Sequence, residues 1–215
     1  MGKCLIFCAG AFHGLLAPVR QDDHLIAADG GLRHLETLGL RPHSILGDFD
    51  SLGYVPEGAE VFPVEKDDTD AMLAVRQGLR LGHREFMLYG AMDGPRLDHT
   101  VANLQTLSFL ADHGAVGFLP GEHQTATVIR NGSLTFPAAG SGTVSVFCLG
   151  RDAEGVDLIG LKYPLQGGTL TAGFPLGVSN HTIMGCPATV RVAHGSLLVI
   201  WDRALGLPEV AYADL

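Results

Sequence analysis

Carboxylates recur at places where a strand would end or a helix would begin: Asp29-Gly30-Gly31, Gly47-Asp48-Phe49-Asp50-Ser51 and Lys66-Asp67-Asp68-Thr69-Asp70. Carboxylates crowded on one rim repel unless a cation sits among them, and Mg²⁺ takes hard oxygen ligands with substrate phosphates completing its shell. In an extended segment residues two apart face the same way, so Asp48 and Asp50 share a side while Phe49 turns into the core. That is half a metal site, or a polar turn, since Asp and Ser are also turn formers. Thr69 suits the N-cap of the helix that follows, and Asp70 then favours the positive end of its dipole. Capping and ligand contact are compatible at Asp70. The pairing of Asp29 with two glycines offers close backbone approach to an anion. Position 72 is Met, so the acidic partner of a capping box is absent.

A fourth segment, Gly90-Ala91-Met92-Asp93-Gly94-Pro95-Arg96-Leu97-Asp98-His99, joins a strand to a helix through a glycine-rich loop. Arg96 has the fork geometry to grip phosphates. Asp98 is either a ligand-side acid or a helix-start charge, and His99 is surface, core or substrate-facing. No G-x-G-x-x-G fingerprint or Walker A lysine occurs, which argues against a dinucleotide-dependent dehydrogenase and a P-loop enzyme. The motifs point to a magnesium-dependent enzyme acting on phosphates.

The elements that must place these residues read as two domains. Apolar runs over 3–9, 24–28, 44–46, 61–64, 85–89 and 116–119 are expected strands. The 3.6-residue spacing predicts helices over 31–38, 69–81 and 97–111. That alternation implies a mostly parallel α/β sandwich of Rossmann-like type over residues 1–122, and ligands of such sheets bind outside the carboxyl ends of the strands. After Gly121 the pattern changes to short β-rich runs over 125–130, 142–148, 156–161, 179–184, 188–192 and 197–201, punctuated by Gly and Pro. Residues 123–215 are therefore expected to form an all-β sandwich.

Composition narrows the class. The chain has 215 residues, 47% hydrophobic, with a net charge of −9, so it can bury a large core and lacks the basic face of a nucleic-acid binder. No apolar run reaches the length that crosses a bilayer, and residues 1–10 read as a buried strand rather than a signal peptide. Cys4, Cys8, Cys148 and Cys186 match no zinc spacing; Cys4 and Cys8 read as small core residues, and a cytoplasmic protein is the expectation.

Taken in order, AADGG, GDFDS, KDDTD and GPRLDH resemble the motif series of the thiamin pyrophosphokinases, and Gly160–Leu165 with 177–180 resemble that family's C-terminal signatures. The resemblance implies transfer of a pyrophosphoryl group from ATP to the thiamin hydroxyl with release of AMP. It also implies an α/β domain followed by a β-sandwich and a homodimer. Carried onto this chain, the family's Mg²⁺ ligands fall on Asp48, Asp50 and Asp70, and its nucleotide-side positions on Asp29, Gly30, Arg96 and Asp98. Thiamin-pocket positions fall on Ser179 and Asn180, with Tyr163 as an aromatic wall. Many relatives carry an acid where this chain has Met72. Two other readings stand beside this one. The first is a pyrophosphokinase for another small alcohol such as a hydroxymethylpterin. The second is a nucleotide- or thiamin-binding module without catalysis.

Overall fold

The computed structural model describes residues 2–65, 67–138 and 140–212. Lys66, within one acidic motif, lies outside them, as does the end of the tail at 213–215. The chain divides into two compact units, Met1–Glu122 and His123–Leu215.

The first unit is built on parallel strands: β1 (Cys4–Phe7), β2 (His24–Ala28), β3 (Ser44–Gly47), β4 (Glu60–Val61), β5 (Glu85–Tyr89) and β6 (Val116–Pro120), in the order β6-β5-β1-β2-β3-β4. The sequence of β1, CLIF, is apolar throughout and buried at every position. A strand covered on both faces needs such a continuous run, not an alternating one. The helices are α1 (Leu32–Thr37), α2 (Asp70–Arg80) and α3 (Leu97–Asp112). In α2 Ala71, Ala74, Val75 and Gly78 are buried, the spacing of one helical face. Chain order reverses at β1: β2 to β4 extend to one side, β5 and β6 to the other. The loops leaving β1 and β5 thus flank a topological switch point, where an open parallel sheet leaves a crevice.

The strand expected over 61–64 is reduced to Glu60–Val61, an exposed edge. Phe62 still donates its N–H to Gly47 O at 2.9 Å. Pro63 has no N–H to continue the ladder.

The second unit holds two antiparallel sheets. One orders β12 (Gly177–His181), β9 (Thr143–Cys148), β14 (Ser196–Asp202) and β7 (Gln124–Arg130). The other orders β11 (Leu165–Leu170), β10 (Ala153–Ile159), β13 (Ala188–His194), β8 (Gly132–Phe136) and β15 (Glu209–Tyr212). Alternation is clean in β13, with Val190 and Val192 buried, and resumes in β10 at Val156 and Leu158 after a register shift between Glu154 and Val156. Trp201 is fully buried, stacks edge-on to Phe136 at 5.5 Å and donates its indole N–H to Gly206 O at 2.8 Å. The α/β-plus-β-sandwich class expected from the sequence is what forms. Strands β8, β11 and β15 were not legible in the pattern. Residues 182–184, expected in a strand, leave it after the isolated bridge of Thr182 to Leu161.

At the start of the parallel strands three imidazoles cluster. The His24 ring stacks on His43 at 4.7 Å and lies 5.4 Å from His83. His43 Nδ1 accepts the Leu25 N–H at 3.0 Å, which requires a neutral ring nitrogen there. Burial, then His43, then His83 push the His24 pKa below its ordinary 6.5. Unfolded chain therefore binds more protons as pH falls through the ordinary value, and folded stability declines in that window until the lower folded pKa is passed. The melting temperature is expected to be flat above about pH 7 and to fall below it, and His24→Gln should flatten that slope. Parallel melting curves for the two proteins would remove His24 from the acid response.

Candidate functional site

A cavity of about 470 Å³ opens at the carboxyl ends of the parallel strands, and four acidic residues line it: Asp29, Asp48, Asp50 and Asp70. Carboxylate oxygens of Asp29, Asp48 and Asp50 lie within 4.8 Å of one another. Local backbone conformation brings them there. Asp29 ends β2 with φ +48, a left-handed conformation that Asp tolerates better than most residues. Gly47 (φ +147) ends the neighbouring β3, and a Cβ there would stand 3.1 Å from the backbone of Asp29. Phe49 is the third special residue, with φ +61 and 2% exposure. Its ring anchors the turn in the core, so the flanking carboxylates of Asp48 and Asp50 face the cavity. The segment is a turn, not the extended run expected: the Asp50 N–H donates to Asp48 Oδ1 at 3.3 Å, and Leu52 and Gly53 N–H both donate to Phe49 O. Conformations of this kind in bulky residues cost on the order of 1–3 kcal/mol each and concentrate at functional sites.

Asp70 opens α2, where Thr69 Oγ1 accepts the Met72 N–H at 3.2 Å; the expected cap forms, and Asp70 still lines the cavity. Asp70 stands outside the tight triad, and Asp29, expected on the nucleotide side, stands inside it. Asp29 is 6% exposed, and among the described residues its buried Oδ1 accepts no hydrogen bond. A buried anionic oxygen without a donor is costly alone and suited to a cation. Cys8, read as a core residue, is buried and also lines the cavity; burial, then Asp70 and Asp29, push its thiol up to about 12. It is a neutral wall, not a nucleophile.

The opposite wall comes from the loop after β5 and the first turns of α3: Arg96, His99, Thr100 and Asn103. Asn103 Nδ2 donates to Ala91 O at 2.6 Å, fixing the near end of that loop. Thr100 and Asn103 gave no signal in the sequence, being ordinary polar residues within a helical pattern. Arg96 donates from Nε (3.2 Å) and Nη2 (2.5 Å) to the Asp98 carboxylate. That hydrogen bonding raises the Arg96 pKa and holds the Asp98 carboxyl below the usual range. Asp98, expected on the nucleotide side, points at Arg96 in solvent and does not line the cavity. Gly30 does not line it either. A Cβ at Gly30 would lie 3.0 Å from Ala9 Cβ and 3.4 Å from Ser51 Cβ, so the glycine permits close packing there.

In the second unit a pocket of about 160 Å³ is lined by Tyr163, Leu165, Leu176 and Asn180 among others. The Asn180 side chain is committed to backbone: Nδ2 donates to Tyr163 O at 2.7 Å, and Oδ1 accepts from the N–H groups of Tyr163 and His181, both at 2.9 Å. It shapes the pocket by clamping the Tyr163 segment. Ser179 does not line this pocket; at φ +57 it is exposed, and its N–H donates to Ser145 Oγ at 3.0 Å.

Two family models match the chain. One, thiamin pyrophosphokinase, catalytic domain, covers residues 18–116, and the other, thiamin pyrophosphokinase, vitamin B1 binding domain, covers residues 134–197. A thiamine pyrophosphokinase of Bacillus subtilis is 26% identical over 200 residues, covering 83% of this chain and 88% of that protein. The crystal structure of a thiamine pyrophosphokinase from Bacillus subtilis superposes with a TM-score of 0.79 at 25% identity, covering 93% of this chain and 98% of that one. A thiamin pyrophosphokinase family protein from Enterococcus faecalis gives a TM-score of 0.78 at 27% identity, covering 94% and 99%. The yeast thiamin pyrophosphokinase shares the fold with a TM-score of 0.70 at 13% identity, covering 94% and 86%.

Proposed function

The chain belongs to the thiamin pyrophosphokinase family, and from that premise we propose that it transfers the pyrophosphoryl group of ATP to the primary hydroxyl of thiamin, giving thiamin diphosphate and AMP. The observation that carries the reading is the convergence of Asp29, Asp48 and Asp50, with Asp70 beside them, in a cavity faced by Arg96. The vitamin B1 binding match over 134–197 favours thiamin over a hydroxymethylpterin.

Mg²⁺ fits this donor set: hard carboxylate oxygens, one of them buried with no donor among the described residues. Asp29, Asp48 and Asp50 would hold it, with Asp70 at the same wall. When bound it supplies positive charge against the phosphates. The chain's own residues do the rest. The thiamin hydroxyl oxygen attacks the β-phosphorus as its proton is released to solvent, the β-phosphorus–bridging-oxygen bond breaks, and AMP leaves with that electron pair. Arg96, once its guanidinium leaves Asp98 for the phosphates, would bring positive charge to the cavity wall, and the flank at Cys8 and Ala71 is neutral and apolar. Phosphoryl transfer needs little more than such positioning and charge.

A homodimer is part of the proposal. Ile159, Phe174, Leu176, Val178 and Met184 are large apolar residues exposed on the second unit, and a second copy would cover them. The proposed compartment is the cytoplasm, consistent with four free cysteines and with no helix among the described residues long and apolar enough to cross a membrane.

The test incubates the protein with ATP, Mg²⁺ and thiamin and separates the products. AMP and thiamin diphosphate in equal amounts are expected; ADP with thiamin monophosphate would refute the pyrophosphoryl step. A pterin alcohol should not compete with thiamin.

A further inference from the structure

We propose that Asp93 is a positioning residue that braces the Arg96-bearing loop to two neighbouring loops at the cavity rim, fixing the site's grip on ATP. The proposal rests on the pyrophosphokinase reading. The loop at 90–96 carries Gly90, Met92 and Arg96 to the cavity wall. Its near end is held by Asn103 on Ala91 O and by the Gly10 N–H on Gly90 O at 3.0 Å. The far end, where Arg96 stands, is tied through Asp93. Asp93 Oδ2 accepts the Glu122 N–H at 2.5 Å, just past the end of β6. The same oxygen lies 3.8 Å from His13 Nε2, on the loop after β1. That imidazole nitrogen is buried and has no hydrogen-bond partner among the described residues, and the Asp93 carboxylate is an acid it faces. Three connections, following β1, β5 and β6, therefore meet at one carboxylate.

Asp93 adopts φ +56, a conformation glycine holds more easily. A residue chosen for loop geometry alone would be Gly. An acid that tolerates this backbone is explained by what its carboxylate binds. Asp93 itself does not line the cavity, so its effect passes through the loop to Arg96.

Asp93→Gly removes the brace and relieves the backbone; Asp93→Asn keeps an acceptor oxygen and tolerates the same φ. The measurements are the dissociation constant for Mg²⁺-ATP by calorimetry, steady-state KM and kcat, and the melting temperature. Asp93→Gly should weaken ATP binding and raise the KM for ATP by about tenfold, the worth of one charge-assisted hydrogen bond, with the KM for thiamin unchanged. Its melting temperature should hold, and Asp93→Asn should recover most of the ATP affinity. Wild-type ATP affinity in Asp93→Gly overturns the proposal. So does a loss shared equally by both variants and accompanied by a fall in melting temperature, which is the mark of a merely structural residue. Calorimetry separates this from the wider reading: a wild-type protein that binds ATP yet forms no AMP with thiamin refutes the reaction, while the brace is still judged by the ratio of ATP affinities.

Discussion

Asp50→Asn is expected to lower turnover by about 10²–10³-fold while leaving the melting temperature unchanged or slightly higher. Asp50 is exposed, and nothing in the core depends on its charge. Phe49 anchors the turn, and the amide keeps the size and hydrogen-bonding shape of the acid. One negative charge disappears from a triad whose oxygens lie within 4.8 Å, so like-charge repulsion in the cation-free protein is relieved. The same repulsion is what gives the triad its affinity for a divalent ion. Stability and cation binding should therefore move in opposite directions. Titration of the protein with Mn²⁺ in the absence of nucleotide reads the binding side directly and should show a loss of at least about tenfold. If the variant keeps more than a tenth of wild-type turnover at equal Mg²⁺ and binds Mn²⁺ as before, Asp50 is outside the site.

The parts of this site that depend on local chemistry were open to reading from the residues. Thr69 caps α2 because a hydroxyl before a helical run has few other uses, and Phe49 is buried because an aromatic between two acids must turn away from them. The continuous apolar stretches of β1, of β2 after His24 and of β5 after Glu85 announced a parallel sheet, and the sheet in turn located the crevice. What spacing does not carry is long-range register. Asp29 joins Asp48 and Asp50 because β2 and β3 pair with Ala28 opposite Leu46, and because Gly47 lets the two chains approach beyond the ladder. Neither fact is local. Asp98 reads as a cavity acid by its motif, yet the fork of Arg96 two residues away is a nearer partner. Asn180 reads as a ligand-facing amide, yet backbone groups of Tyr163 engage both ends of it. The overlooked strands share a cause as well. Strand β11 contains adjacent glycines, one at φ +58, β8 opens on Gly132 directly after the bend at Asn131, and β15 has four residues, so the alternation that marks a strand has little room to show itself.

Gly31→Ala should be the most damaging single-methyl change in the first unit, for a reason unrelated to flexibility. Gly31 has φ −59, which any residue adopts. An alanine Cβ there would sit 1.8 Å from Phe7 O, 2.3 Å from Phe7 C and 2.9 Å from Cys8 N. These are main-chain atoms, and no rotamer change relieves them. Phe7 cannot retreat, because it is fully buried at the end of β1 and paired with Ala27 on one side and Tyr89 on the other. The turn that begins at Asp29 would have to lift instead, drawing Asp29 away from Asp48 and Asp50. A stability loss of about 3 kcal/mol or more is expected, large for a single methyl, and seen as a fall of roughly 6–12 °C in melting temperature. Gly39→Ala is the control: its φ is +66 with nothing within 4 Å of the added atom. It should cost only the backbone strain, about 1 kcal/mol. Melting curves in which the two variants fall together would mean that strand β1 and the turn behind it do not approach closely, and the placement of Asp29 in the triad would fall with that contact.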